Sequence, residues 1–421
     1  DGPVTVADVW LGSGDGTSKS ASDWHTLLVV GEGRGATTTT YPNLWSKYGD
    51  CDSDFSGMYS TDYPHYCGYY GLDLTTSTAP AFKWRLGLSG SQAPYMGSPW
   101  SRMAVGRVKV GGNEKWVGFI GGGAYAPNAT HSGKGLFVVD LADGSVLWSY
   151  TRADNSSLDY PMPAPPAIVD TDSDGFIDTA YIGDIGGHMW RFKFCREEDG
   201  DSCGTSDWAG GRLFQASSRP IYTKPVVTRD RDGYFWVYWG TGDKTDPTAS
   251  VYSEKIFAMK DTDRSSTRTI SDLQDVTSGT YTDTDKYGFY ISTALGEKVL
   301  SDVEMFGGIL YATTFTPTSS SDPCEQSGTA KLYGLYAFTG AGGLATGATT
   351  PPRSMVIGTG ISSAPVISMR PGSAGSGTAD LYVTTSGGGI IGASTQRVNI
   401  NPPGLSSGRT NMFFWKDRRV E

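Results

Sequence analysis

The chain has 421 residues, enough for one large all-β domain or two to three ordinary ones. Its 44 acidic against 34 basic side chains leave a formal net charge of −10. That charge repels phosphate backbones, so nucleic acid is excluded as a partner, while the acids suit hard cations such as calcium. The 57 glycines, roughly twice the usual share, come with 12% aromatic residues. This is the composition of short strands joined by tight loops, and it excludes intrinsic disorder.

A loose strand–turn–strand unit recurs along the chain. Thr26–Gly31 leads to Tyr69–Leu74 and Phe82–Leu86. Trp116–Gly123 leads to Gly135–Tyr150, and Ala167–Asp184 to Gly187–Phe194. Phe235–Asp243 leads to Lys255–Asp261, and Gly308–Phe315 to Lys331–Gly340. Ala364–Ser368 leads to Asp380–Thr385 and Gly389–Ser394. Apolar and polar residues alternate with period two, as strands require, and no long helical period occurs. Repeated small sheets that cannot bury both faces alone stack radially, which predicts a β-propeller over residues 1–421 as a single domain. Six units are visible, so six to seven irregular blades are expected. Polar insertions at 46–64, 264–286, 316–328 and 371–378 fall between them, where partner contacts usually form.

The five cysteines form no C-x-x-C pair. Cys51 with Cys67 and Cys195 with Cys203 each enclose a short loop, and two such local disulfides fit an exported protein. Cys324 is left over, as a buried thiol or as a bridge to a segment outside this chain. No apolar run approaches the ~20 residues that cross a bilayer, so no membrane span is expected. A start at Asp1 without an initiator Met predicts a processed or trimmed piece of a larger protein. His25, His65, His131 and His188 form no H-E-x-x-H pattern, and no G-x-S-x-G elbow is present. These histidines read as structural or surface residues. Gly121, Gly122 and Gly123 read as a tight turn between strands, and Trp190 and Trp239 as packing between blades.

One segment carries sharp chemistry. Residues 170–178 spell D-T-D-S-D-G-F-I-D. Carboxylates at loop positions 1, 3, 5 and 9 converge if the chain curls around one centre, and glycine at position 6 permits the sharp turn. Asp170, Asp172, Asp174 and Asp178, with the backbone carbonyl of Phe176, are therefore the expected calcium ligands. Position 12 is Tyr181 instead of a bidentate Glu, and strand-like flanks replace the two helices of an EF-hand. The loop is expected between strands, with Asp178 taking a larger share. Asp50, Asp52 and Asp54, and separately Asp230 and Asp232 before Gly233, read as solvated turns.

The same segment, continued as YIGDIGGHMWRF over 181–192, resembles the PilC/PilY family of type IV pilus tip-associated adhesins. Val9–Gly35 with Tyr69–Leu74 resembles the family's opening blade. WGTGD at Trp239–Asp243 with KIFAMKD at Lys255–Asp261 resembles its central blade. GEKVL at Gly296–Leu300, then TTFTP, DPCEQSG and LYAFTG between Thr313 and Gly340, resembles its cysteine-containing blade. NMFFWKDRRV at Asn411–Val420 resembles its C-terminal edge. The resemblance implies an all-β, modified, quinoprotein-like β-propeller. It also implies a calcium site coupled to pilus extension and retraction, export through the periplasm, and placement at the pilus tip or outer cell surface. Adhesion to host or abiotic surfaces, twitching motility and contact with minor pilins follow from it. A larger N-terminal region is usual in the family and is not part of this chain.

A quinoprotein-type dehydrogenase is the enzymatic alternative, since those enzymes share the propeller. Such enzymes commonly carry adjacent cysteines at the cofactor, and this chain has none; nor has it C-x-x-C-H for a covalent haem. Fold alone does not give function, so the expectation is a binding protein without catalytic residues. A pilus-assembly platform without adhesive activity fits the same residues.

Overall fold

The structure is a computed structural model. It describes residues 2–33, 68–86, 88, 91–124, 131–216, 219–318, 328–344, 349–370, 378–387 and 394–400. Among them the regular elements are strands and short 3₁₀ turns, and no helix is long and apolar enough to cross a membrane. Contacts divide the chain into two compact units. One comprises Asp1–Lys244 and Met259–Leu273, the other Thr245–Ala258 and Gln274–Glu421.

The first unit opens with a four-stranded antiparallel meander of β1 (Val4–Trp10), β2 (Trp24–Gly31), β3 (Tyr69–Asp73) and β4 (Ala81–Arg85). A second meander follows in β5 (Ala104–Val110), β6 (Asn113–Gly121), β7 (Gly135–Asp140) and β8 (Val146–Thr151). The third sheet runs through β9 (Ala167–Val169), β10 (Thr179–Gly183), β11 (Met189–Lys193) and β12 (Ala209–Gln215). Next come the hairpin of β13 (Val226–Arg229) with β14 (Phe235–Gly240), then β15 (Lys255–Asp261), along which the chain passes from one unit to the other. The strand β16 (Arg268–Thr269) adds in parallel to β12.

The second unit holds a parallel pair, β17 (Gln274–Asp275) and β18 (Gly288–Ser292). Its larger sheet is built from β19 (Lys298–Val299), β20 (Glu304–Phe306), β21 (Ile309–Pro317), β22 (Gly328–Tyr336) and β23 (Ser354–Thr359). A three-stranded sheet of β24 (Val366–Arg370), β25 (Thr378–Thr385) and β26 (Ser394–Ile400) follows.

Sheets stack face to face within each unit. Leu27, Val29 and Trp84 of the first sheet pack with Ile120, Phe137 and Val139 of the second. The other face of the second sheet sends Val117, Phe119 and Val138 against Ala180, Ile182, Trp190 and Phe192 of the third. In the second unit Tyr311 and Leu332 pack with Leu381 and Val383. A middle strand is therefore buried on both faces, and β7, β10 and most of β14 are buried along their length. Burial alternates in β2 from Leu27 to Gly31 but not in these inner strands, because both of their faces meet a neighbouring sheet.

Two hairpins share one device, D-x-x-G-x-x-W. Asp184 accepts the His188 amide at 2.9 Å and Trp190 Nε1 at 2.8 Å. Asp230 accepts the Tyr234 amide and Trp236 Nε1, both at 2.8 Å. The glycine at the fourth position is left-handed in each, with φ 87° at Gly187 and 92° at Gly233. One carboxylate thus closes a turn and satisfies the indole N–H of a buried tryptophan. The turn read at Asp230–Gly233 is this device. Gly122 sits against Gly133, which lies 2.6 Å from where a Cβ would stand, so the glycine run marks a close backbone approach.

Candidate metal centre

The loop 170–178 connects β9 to β10, which pair as Val169↔Thr179, Ile168↔Ala180 and Ala167↔Tyr181. Asp170 folds it inward by accepting the Ser173 amide at 2.7 Å and the Gly175 amide at 2.8 Å. Ser173 and Gly175 are left-handed, with φ 67° and 92°. Asp174 accepts the Phe176 amide at 2.8 Å. Asp172 accepts the Glu197 amide at 2.9 Å, from a 3₁₀ turn at Glu197–Asp199. That turn lies inside the loop closed by the Cys195–Cys203 disulfide.

These bonds bring Asp170, Asp172 and Asp174 together, each offering an oxygen within 4.8 Å of the others. All three are partly buried. Burial raises Asp170, the Gly175 and Ser173 amides oppose this, and the neighbouring Asp172 and Asp174 add to it, leaving the group above its ordinary value. Burial likewise raises Asp174, and repulsion from Asp172 and Asp178 outlasts the help of the Phe176 amide and Lys109. Burial opposes ionisation of Asp172 too, but the Glu197 amide, Asp170, the Asp174 amide and Arg196 together hold it low. Among the described residues, Asp172 Oδ1 is buried and has no hydrogen-bond partner. An all-oxygen cluster with one orphaned, buried oxygen fits a hard divalent cation.

The other two expected ligands stand differently. The Phe176 ring lies under the Arg107 guanidinium, 4.5 Å away, with Lys109 Nζ at 5.7 Å. Asp178 is buried, and its carboxylate accepts the Thr171 amide at 2.6 Å, Thr171 Oγ1 at 2.8 Å and Thr179 Oγ1 at 2.6 Å. Arg264 Nη1 reaches the same carboxylate at 3.2 Å. A cation drawing Asp178 into its shell would compete with Arg264 for it.

Three arginines that the sequence reading passed over hold the loop. Arg107, on β5, donates from Nε to the Gly175 carbonyl at 2.7 Å and from Nη1 to Glu114 at 3.2 Å. Arg196 Nε lies 3.8 Å from Asp172 Oδ2. Arg264 also donates to Thr171 Oγ1 at 2.9 Å and to the Asp178 carbonyl at 3.2 Å. Beneath it Asp261 pairs with Arg191 at 2.6 Å, both 2% exposed, and accepts Tyr181 Oη at 2.7 Å. These partners come from distant strands and turns, so the loop's own residues give no signal of them.

Cys195 and Cys203 are paired as expected, and Trp208 Nε1 donates to Cys195 Sγ at 3.2 Å. Cys51, Cys67, Cys324, His65, the Asp50–Asp54 cluster and the Asn411–Val420 segment lie outside the described residues. His25 pairs with Asp73 at 2.7 Å, and His131 stacks at a tilt on Tyr95. His188 is buried, its Nδ1 accepting the Ala216 amide at 3.1 Å.

Comparison with known proteins gives these positions a context. Residues 94–283, which contain the loop, match the family model described as the PilY1 beta-propeller domain. The chain is similar to the type IV pilus biogenesis factor PilY1 of Pseudomonas aeruginosa, at 24% identity over 65% of this chain and 28% of that protein. It is also similar to a type IV pilus biogenesis factor PilY1 homolog of Xylella fastidiosa, at 25% identity over 77% of this chain and 28% of that protein. The matches thus span less than a third of either relative's length. Among solved structures, the crystal structure of the Pseudomonas aeruginosa PilY1 C-terminal domain superposes with a TM-score of 0.62 at 18% identity. That superposition covers 95% of this chain and 83% of the other. The fold is an all-β, modified β-propeller.

Proposed function

This chain is a relative of the PilC/PilY family through a PilY1 β-propeller domain, and from that premise we propose that it is a calcium-binding tip or assembly protein of a type IV pilus. The naming of its relatives as type IV pilus biogenesis factors supports the setting. The observation that carries the calcium is the convergence of Asp170, Asp172 and Asp174 around a buried, unpartnered Asp172 oxygen, inside the segment that matches the family.

Asp170, Asp172 and Asp174 would hold the ion, with the Phe176 carbonyl and Asp178 as the further ligands that the spacing predicts. The ion supplies positive charge that clustered carboxylates otherwise lack. The chain's own part is to shape the loop: Arg107 fixes the Gly175 carbonyl, the Glu197 amide fixes Asp172, and Thr171 and Arg264 fix Asp178. Ordering this loop changes the surface offered to the pilus machinery, and a partner that prefers one state couples metal occupancy to extension and retraction. In this reading residues 1–421 act as one binding module rather than a catalyst, exported to the pilus tip or cell surface. There it meets minor pilins and host or abiotic surfaces, and supports adhesion and twitching.

Calorimetric titration of the metal-stripped chain tests the site. One saturable calcium site, lost in both Asp172→Ala and Asp174→Ala, is expected; undiminished binding in both variants would sink it. In cells the same variants should change pilus number or twitching, and normal piliation with normal motility refutes the coupling.

A further inference from the structure

An open cleft of about 370 Å³ lies beside the loop, wholly within the first unit, and metal binding does not account for it. Thr171 is part of its wall, with Arg196, Arg229, Arg264 and Tyr234 and the carboxylates Asp232 and Asp261 among the other lining residues. Three guanidinium groups converge here in a chain whose net charge is −10. The lining carboxylates do not balance them equally. Asp261 is committed to Arg191 and Tyr181. Arg264 is committed to Asp178. Only Asp232, exposed on the β13–β14 turn, adds a carboxylate to the lining without a described partner for its oxygens.

Arg229 is the cation that remains. It is exposed, it donates from Nε to the Gly233 carbonyl at 3.2 Å, and its guanidinium lies 5.4 Å from the centre of the Phe235 ring. Among the described residues no carboxylate pairs with it. Tyr234, next along the same turn, is 42% exposed and supplies an aromatic surface beside it. A guanidinium fork matches a carboxylate in two parallel hydrogen bonds, and arginine beside an exposed tyrosine is the composition of protein-binding hot spots. The volume exceeds what a lone anion needs and lies in the range of sites that take a larger ligand.

Arg196 connects this cleft to the loop. Among the described residues its buried Nε has no hydrogen bond; it lies 3.8 Å from Asp172 Oδ2, and Nη1 meets Glu198. A cation on Asp172 competes for the carboxylate that holds Arg196 and places positive charge behind the Thr171 wall. Both effects favour a negative occupant.

We propose that this cleft docks an acidic peptide segment of a partner protein, and that a divalent cation in the aspartate loop strengthens the docking. The second half rests on the calcium reading above; the first half does not. Linkage is reciprocal, so the docked peptide tightens cation binding by the same factor.

The test is fluorescence anisotropy of a labelled Asp/Glu-rich decapeptide with the full chain, beside a control peptide in which every acid is the matching amide. The acidic peptide is expected to bind at least tenfold tighter than the control, and Arg229→Gln to remove that difference while Arg229→Lys keeps part of it. Affinity should rise at least threefold from EDTA to calcium, and this gain should vanish in Asp174→Ala. Equal binding of both peptides, or an unchanged Arg229→Gln, overturns the docking site. Displacement by inorganic phosphate at the peptide's own concentration also overturns it, by revealing a general anion site. Calcium calorimetry on the same samples separates the two readings. Arg229-dependent binding in EDTA without any calcium uptake removes the metal and keeps the cleft; calcium uptake with no change in peptide affinity removes the linkage.

Discussion

Gly175 is closely constrained by its backbone and its neighbour. Its φ of 92° is left-handed, and a Cβ there would stand 2.4 Å from Arg107 Nη2. The guanidinium end can move aside but the backbone cannot, so Gly175→Ala should cost about 1–2 kcal/mol of stability in urea unfolding. It should also weaken calcium binding in calorimetry, since the Gly175 amide holds Asp170. His188 gives a second expectation. Burial, helped by the Arg212 charge, holds its imidazole down at about 4. The unfolded chain takes a proton near pH 6.5 and the folded one does not, so this contribution is complete above about 6.5. It is lost as pH falls through about 4. The neighbouring Asp184, pushed up to about 7 by burial despite donation from Trp190, His188 and Gly186, works the opposite way in an overlapping range. Comparison with His188→Gln isolates the imidazole: the stability gap between the two proteins should be constant above pH 6.5 and narrow below it. At this scale the aspartate loop was legible because its spacing is local. The engagement of Asp178 was not, because its partner Arg264 lies 86 residues away.

Among elements, most of the inner strands, whose apolar runs face two neighbouring sheets, were read correctly, as were the edge strands β4 and β8. The strands missed lie mostly at edges. β1 shows Val4 53% and Val6 59% exposed, so its hydrophobic residues point partly to solvent and imitate a loop. β12 opens Ala-Gly-Gly, and Gly210 leaves room for Phe192, whose ring atoms lie 2.8 Å from where a Cβ would stand. A glycine chosen for close approach looks like a turn in sequence. The two-residue strands β16 and β17 carry too few residues for any period. Between elements, the first unit holds the buried Arg191–Asp261 pair. Asp261→Ala leaves the guanidinium without its charge partner and should cost about 3–5 kcal/mol in chemical unfolding. Replacing both partners by apolar residues of similar volume should recover most of that loss, which a double-mutant cycle measures.

At the scale of the whole molecule, the aspartate loop belongs to one of two compact units. Calcium at a hundredfold excess over its Kd should stabilise the unit that binds it by about 2.7 kcal/mol. Amide exchange should therefore slow in the segment 2–244 on adding calcium, and stay nearly unchanged in the strands from β21 to β26; equal protection of both would show that they unfold together. The architecture was legible from the repeated strand–turn grammar, whereas this partition was not, since the chain passes from one unit to the other inside a single strand, Lys255–Asp261. The Cys195–Cys203 bond has a consequence for where this protein can mature. It encloses the turn whose Glu197 amide steadies Asp172. Reduction loosens that turn and with it one wall of the ion cradle, so protein made in a reducing cytoplasm should bind calcium more weakly than the oxidised form, by titration with and without dithiothreitol. On the proposed reading, oxidative cross-linking would precede full calcium competence, and an exported chain would take up the ion at full strength only after leaving the compartment in which it was synthesised.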